Sequence, residues 1–156
     1  MAKINIILNG EKRSCNVEPT DILLDVLRET FGITSPKHGC DRGDCGACAV
    51  LLNGKSVRSC LVLAIETDGQ EIITLEGISQ NGLTKVQEAM IDKNAFQCGF
   101  CASGVIITTT ELIAKNPHPN YEEIKEALSG NLCRCTGYTP ILEAVHEATE
   151  EHDGNI

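Results

Sequence analysis

Alternating apolar and polar positions fill the first half of the chain, and helical periodicities fill the second. Ile4, Ile6 and Leu8 alternate with polar residues, and Asn9-Gly10 is a type I′ turn signal, so residues 3–17 read as a β-hairpin. Pro19, Thr20 and Asp21 supply helix-start chemistry. Ile22, Leu23, Val26 and Leu27 then share one face of the predicted helix. Residues 32–47 form a loop rich in glycine and charge. Ala49 to Leu52 reads as a strand, Asn53-Gly54 as a second hairpin turn, and Lys55 to Ser59 as the return strand. Ile72 to Leu75 is a further short strand.

Strand signals give way to helical ones across Gly77 to Gly82, which places a boundary between residues 1–77 and residues 78–156. Leu83, Val86, Met90 and Ile91 predict an amphipathic helix. Asn120 with Glu123 resembles a capping box opening a helix that stops near Gly130. Thr139 with Pro140 reads as an N-cap and N1 pair for a last helix carrying Ile141, Leu142 and Val145. The run VIITTT, Val105 to Thr110, locally prefers strand, whereas Glu111 to Lys115 prefers helix. The whole of 102–115 is expected to be helical, because tertiary packing often overrides propensity.

Composition narrows the picture. Aromatics are confined to Phe31, Phe96, Phe100, Tyr121 and Tyr138, so each half must close its core with aliphatic residues. A unit of half this chain's length is marginal on apolar burial alone. The formal charge of −9 disfavours nucleic acid and anionic membrane as partners. The N-terminal run reads as a strand and not as a secretory signal, and no apolar stretch is long enough to span a bilayer. A cytoplasmic, reducing compartment is therefore expected, and there metal or redox ligation is a better expectation than disulfides.

Eight of the nine cysteines fall into two groups of four. Cys40, Cys45 and Cys48 form a C-x4-C-x2-C run in CDRGDCGAC, and Cys60 follows after the predicted hairpin. This is the plant-type ligand spacing for a 2Fe–2S cluster. Iron in such a centre needs four soft anionic ligands converging on a small volume. Gly39, Gly43 and Gly46 let a tight loop deliver three of them and free backbone N–H groups to point at sulfur. The second group is Cys98 and Cys101 in QCGFC, with Cys133 and Cys135 in LCRCTGY. These pairs lie on predicted helix ends and loops and must meet across a helical bundle. A zinc site is the competing reading of both groups, although a C-x-C pair strains a tetrahedral zinc.

The segments GCDRGDCGAC, QCGFCASG and GNLCRCTGY, in this order, resemble the iron–sulfur subunit of the molybdenum hydroxylases, the xanthine oxidase and aldehyde oxidase family. The resemblance covers essentially the whole chain. It implies an α+β protein: an N-terminal β-grasp domain of plant-type ferredoxin, followed by an all-α four-helix domain. The distal cluster would be held by Cys40, Cys45, Cys48 and Cys60. The proximal cluster would be held by Cys98, Cys101, Cys133 and Cys135. By the same likeness, Gln97 and Cys135 lie against a molybdopterin carried by a large subunit. Electrons would pass from there through the proximal and then the distal cluster to FAD on a medium subunit. The implied assembly is a dimer of heteromers, and the implied substrate is an N-heteroaromatic such as nicotinate or a purine. A free-standing ferredoxin-like carrier and a zinc-stapled interaction module are the alternatives.

The remaining candidates are plainer. Cys15 reads as a small buried hydrophobe. His118, His146 and His152 read as solvated, and His38 lies beside the first cysteine group. Asp41, Arg42 and Asp44 either tune that loop or are merely solvated. Neither GxGxxG nor a Walker A loop is present, so flavin and pterin would belong to other chains.

Overall fold

The computed structural model describes residues 1–150. A five-stranded mixed sheet runs in the order β2 (Glu11–Val17), β1 (Ala2–Leu8), β5 (Glu71–Ile73), β3 (Ala49–Leu52), β4 (Lys55–Arg58). Strands β1 (Ala2–Leu8) and β2 (Glu11–Val17) form the first hairpin, with Ile4 opposite Cys15. Asn9 and Gly10 both take positive φ, 51° and 82°, as a type I′ turn requires. Strands β3 (Ala49–Leu52) and β4 (Lys55–Arg58) form the second hairpin, turning at Asn53 and Gly54. Strand β5 (Glu71–Ile73) joins the two, parallel to β1 and antiparallel to β3. The expected strand to Leu75 is shorter than the pattern implies, because Leu75 already opens a one-turn helix, α2 (Leu75–Ile78).

The first helix also differs from expectation. Helix α1 covers only Leu23–Asp25 before widening into a π-turn over Val26–Thr30, with Phe31 N–H donating to the Val26 carbonyl at 3.1 Å. Its N-cap is Ile22, not the upstream polar residues. Asp21 instead accepts a 2.8 Å hydrogen bond from Glu18 N–H. The segment sends Leu23, Val26 and Leu27 into the sheet's core. Leu24 goes to a separate small cluster with Cys48 and Cys60.

Helices α3 (Lys85–Asp92), α4 (Ala102–Lys115), α5 (Tyr121–Leu128) and α6 (Thr139–Thr149) share one apolar core. Capping boxes open α3, at Thr84 with Gln87, and α5, at Asn120 with Glu123. On α3, Val86 and Met90 are buried as expected, but Leu83 and Ile91 are more than half exposed. Leu83 precedes the cap, which puts it outside the helix and its stripe. Helix α6 is capped by Tyr138 in the left-handed conformation (φ 75°), so Thr139 is its first residue and not its cap.

Helix α4 resolves the ambiguous VIITTT run. All of Ser103 to Thr109 is buried. Ile106 faces the helical core, while Ile107 packs with Ala49 and Leu51 of β3. A helix enclosed on both sides gains more from burial than its β-branched residues lose in rotamer freedom. Glu111 fastens the same helix to the second hairpin. Its carboxylate accepts a 2.9 Å hydrogen bond from Ser56 N–H and pairs with Lys115.

Burial works to raise the Glu111 carboxyl, but Lys115 and Ser56 outweigh it and hold the group below its ordinary value of 4.5. A depressed folded value stabilises the protein above 4.5, and the contribution is lost as pH falls through that lower value. Glu111→Gln is therefore expected to cost about 1 kcal/mol at neutral pH. The difference from the parent should close on acidification, as followed by urea unfolding across a pH series.

Candidate functional site

Each cysteine group is assembled from a loop and one more distant element. Cys40, Cys45 and Cys48 come from the loop before β3, and Cys60 from the short turn Ser59–Leu61 after β4. The Cys48 and Cys60 sulfurs are buried and 3.4 Å apart. Ser59 fixes this turn by donating from its hydroxyl to the Cys48 carbonyl at 2.7 Å. The Cys40 and Cys45 thiols also interact, and Cys45 N–H donates to the Cys40 sulfur at 3.4 Å. Gly39 is required here, since a Cβ on it would sit 2.7 Å from the Cys45 sulfur.

The second group sits at the entry to α4 and in the loop between α5 and α6. Cys101 is the buried N-cap residue of α4 and interacts with the Cys133 thiol. Cys98 and Cys135 are exposed, with sulfurs 3.5 Å apart. The Cys133 loop is shaped by hydroxyl groups that sequence reasoning did not single out. Cys133 N–H donates to the Tyr138 hydroxyl at 2.8 Å, and the Thr136 hydroxyl donates to the Cys133 sulfur at 3.1 Å. The signal was present in LCRCTGY as hydroxyl residues one and three positions after the C-x-C pair.

The thiols are electrostatically unequal. Hydrogen bonds from the Arg42 and Cys45 backbone N–H groups lower Cys40 to about 7. The Phe100 backbone and the Cys135 thiol lower Cys98. Burial pushes Cys60 up to about 11 and Cys101 up to about 12, each reinforced by its neighbouring cysteine. Burial acts upward on Cys133 too, but Thr136 and the Cys135 N–H bring it below its ordinary value.

Within each set the thiols make their hydrogen-bond contacts in twos, Cys40 with Cys45, Cys48 with Cys60, Cys98 with Cys135, and Cys101 with Cys133, while the two pairs of a set lie near enough to feel each other's charge. Among the described residues, no three His, Cys, Asp or Glu side chains form a group suited to one metal ion. A tetrahedral zinc would bring all four of its sulfurs to within roughly 3.8 Å of one another. Paired sulfurs fit a binuclear centre, in which each metal takes two.

Gln97 is exposed beside Cys98. His38 bridges Asp25 (2.9 Å) and Asp41 (2.7 Å), tying the first cysteine loop to α1, while Arg42 pairs with Asp44 within that loop. Cys15 is half-buried against the sheet core. Two histidines expected to be solvated do reach solvent, His118 exposed and His146 partly so, and each also makes a protein contact. His118 Nδ1 lies 2.9 Å from the Thr149 carbonyl, and His146 contacts Glu150 and the Tyr121 ring, because α5 and α6 pack side by side there. His152 lies outside the described residues.

Residues 6–75 match the 2Fe-2S iron-sulfur cluster binding domain, and residues 74–146 match the 2Fe-2S binding domain. The chain is 51% identical to the nicotinate dehydrogenase small FeS subunit of Eubacterium barkeri, over 94% of each chain. It is 48% identical to the nicotine 6-hydroxylase small subunit of Paenarthrobacter nicotinovorans, over 94% of this chain and 88% of that one. Among solved structures it is similar to quinoline 2-oxidoreductase from Pseudomonas putida 86, with a TM-score of 0.92 and 43% identity over 95% of this chain and 93% of that one.

The unequal thiols predict an order of alkylation in the metal-free chain. At neutral pH, iodoacetamide should label Cys40 and Cys98 first and Cys60 and Cys101 last, as read by peptide mass mapping over time.

Proposed function

Because the chain belongs to the family of small iron–sulfur subunits of the molybdenum hydroxylases, we propose that it is the electron-transfer subunit of a heteromeric dehydrogenase acting on an N-heteroaromatic compound. Residues 1–77 form the β-grasp domain, whose Cys40, Cys45, Cys48 and Cys60 hold the distal 2Fe–2S cluster. Residues 78–156 form the four-helix domain, whose Cys98, Cys101, Cys133 and Cys135 hold the proximal one. When bound, the two clusters supply a one-electron relay between a molybdopterin centre on the large subunit and FAD on the medium subunit.

The observation that carries this reading is the pairwise arrangement of thiols in two separate sets, each split between a loop and a second element. It favours binuclear iron over the zinc-stapled alternative. The second set also argues against a free-standing carrier, which needs only one exposed cluster.

The chain's own residues have distinct tasks. The eight cysteines give up protons on loading, which is easiest at Cys40 and Cys98 and hardest at the buried Cys60 and Cys101. Backbone N–H groups and Thr136 donate toward the sulfurs and stabilise their anionic form. Gln97, Cys98 and Cys135 lie at the exposed edge of the second set, where a pterin-bearing surface can reach them. Gln97 then orients the pterin by a side-chain hydrogen bond, and Cys135 meets it directly.

The substrate proposal rests on the relatives, which are named for nicotinate, nicotine and quinoline. The assembly is a dimer of heteromers in the cytoplasm. No helix among the described residues is long and apolar enough to cross a membrane.

Anaerobically purified protein is expected to hold about four irons, four acid-labile sulfides and no zinc. Dithionite should produce two distinct 2Fe–2S paramagnetic resonance signals. Two irons with one zinc would instead make the second set a structural site. In the assembled enzyme, Gln97→Ala should slow reduction of the clusters by substrate about tenfold without loss of iron, as followed by stopped-flow bleaching. An unchanged rate would remove Gln97 from the pterin contact.

A further inference from the structure

The two cysteine loops touch through a narrow seam. Leu132 N–H, next to Cys133, donates to the Cys45 carbonyl at 2.9 Å. Gly46 lies beneath this bond with φ 75°, and a Cβ there would fall 2.4 Å from the Gly130 carbonyl. Gly104 of α4 closes the other side, where a Cβ would sit 2.1 Å from the Gly46 carbonyl. Two polar side chains occupy what space remains. Arg58, two residues before Cys60, donates from Nη2 to the Gly130 carbonyl at 2.8 Å. Asn131 is 1% exposed, and its Nδ2 points at the Gly46 carbonyl at 3.5 Å.

The Asn131 amide is only partly satisfied. Its Oδ1 is buried without a hydrogen-bond partner among the described residues. A desolvated acceptor lacking a donor is destabilising, and an apolar residue of similar shape would avoid that cost. What the amide provides is a donor facing the first cysteine loop from the second, one residue away on each side from the Leu132–Cys45 hydrogen bond. Arg58 joins the strand end before the Cys60 turn to the same Gly130–Cys133 segment.

We propose that Arg58 and Asn131 are positioning residues that set the relative placement of the two cysteine sets, and with it the electronic coupling between the groups these sets hold. The inference rests on the two-cluster reading above. Neither side chain is a ligand. Each acts through the carbonyl it holds, Gly130 for Arg58 and Gly46 for Asn131, so that the Leu132–Cys45 hydrogen bond keeps its length and direction.

The test uses the assembled enzyme with Arg58→Met, Arg58→Lys and Asn131→Ala. It reads iron and sulfide content, then the low-temperature spin–spin splitting between the two fully reduced clusters. Arg58→Met and Asn131→Ala should keep about four irons yet change the splitting by about half or more, with Arg58→Lys restoring it through its retained donor. A merely structural role would not produce selective rescue by lysine. Full iron content with unchanged splitting in both Arg58→Met and Asn131→Ala would overturn the proposal. A parent enzyme without two 2Fe–2S centres would instead overturn the two-cluster reading, a result visible in the iron count before any variant is made.

Discussion

The close approach of two backbones at Gly46 and Gly104 is the constraint on which the rest of the structure depends. A methyl group on either residue would overlap a carbonyl oxygen of the facing segment. Only because both are glycine can the first cysteine loop lie directly on α4 and on the turn that leads to Cys133. Other links then close around this point. Ser103 at the start of α4 donates to the Ser35 carbonyl, Glu76 accepts from Ser35, and Glu111 holds Ser56 further along the same helix. Sheet and helices are thereby joined at several places along one helix.

This arrangement creates a gradient of exposure across the cysteines. Cys48, Cys60 and Cys101 are buried, while Cys98 and Cys135 reach the surface. Burial disfavours a thiolate, and nearby N–H and hydroxyl donors favour it. Burial holds the Cys60 and Cys101 thiols up, so these two lose their protons most readily when a cation takes the proton's place, which links loading of the sites to the fold. The exposed pair leaves one edge of the second set at the surface.

Local chemistry made much of the fold legible in the chain. Asn-Gly pairs specify both hairpin turns because few residue pairs tolerate two successive positive φ angles. The Asn120–Glu123 capping box acts over three residues and needs no outside help. The C-x4-C-x2-C spacing is likewise a local property, set by how tightly a loop can wrap. Local signals failed where a neighbour changed the outcome. The π-turn after α1 lets Leu24 reach Cys48 and Cys60 while Leu23 and Leu27 enter the sheet core. Tyr138 caps α6 in a left-handed conformation while its hydroxyl serves Cys133.

By itself, then, the sequence determined the elements governed by near neighbours and the grouping of cysteines into two sets of four. The helix over 102–115 was expected and formed, though its own residues pulled both ways; only the tertiary structure decided that Leu83 and Ile91 stay exposed, and that Asn131 and Arg58 link the two loops. The physical reason is separation along the chain. Asn131 and Gly46 are 85 residues apart, and Arg58 and Gly130 are 72 apart. Such contacts leave no periodicity, cap or turn in the sequence, because the burial and hydrogen bonds that stabilise them exist only once both halves have folded against each other.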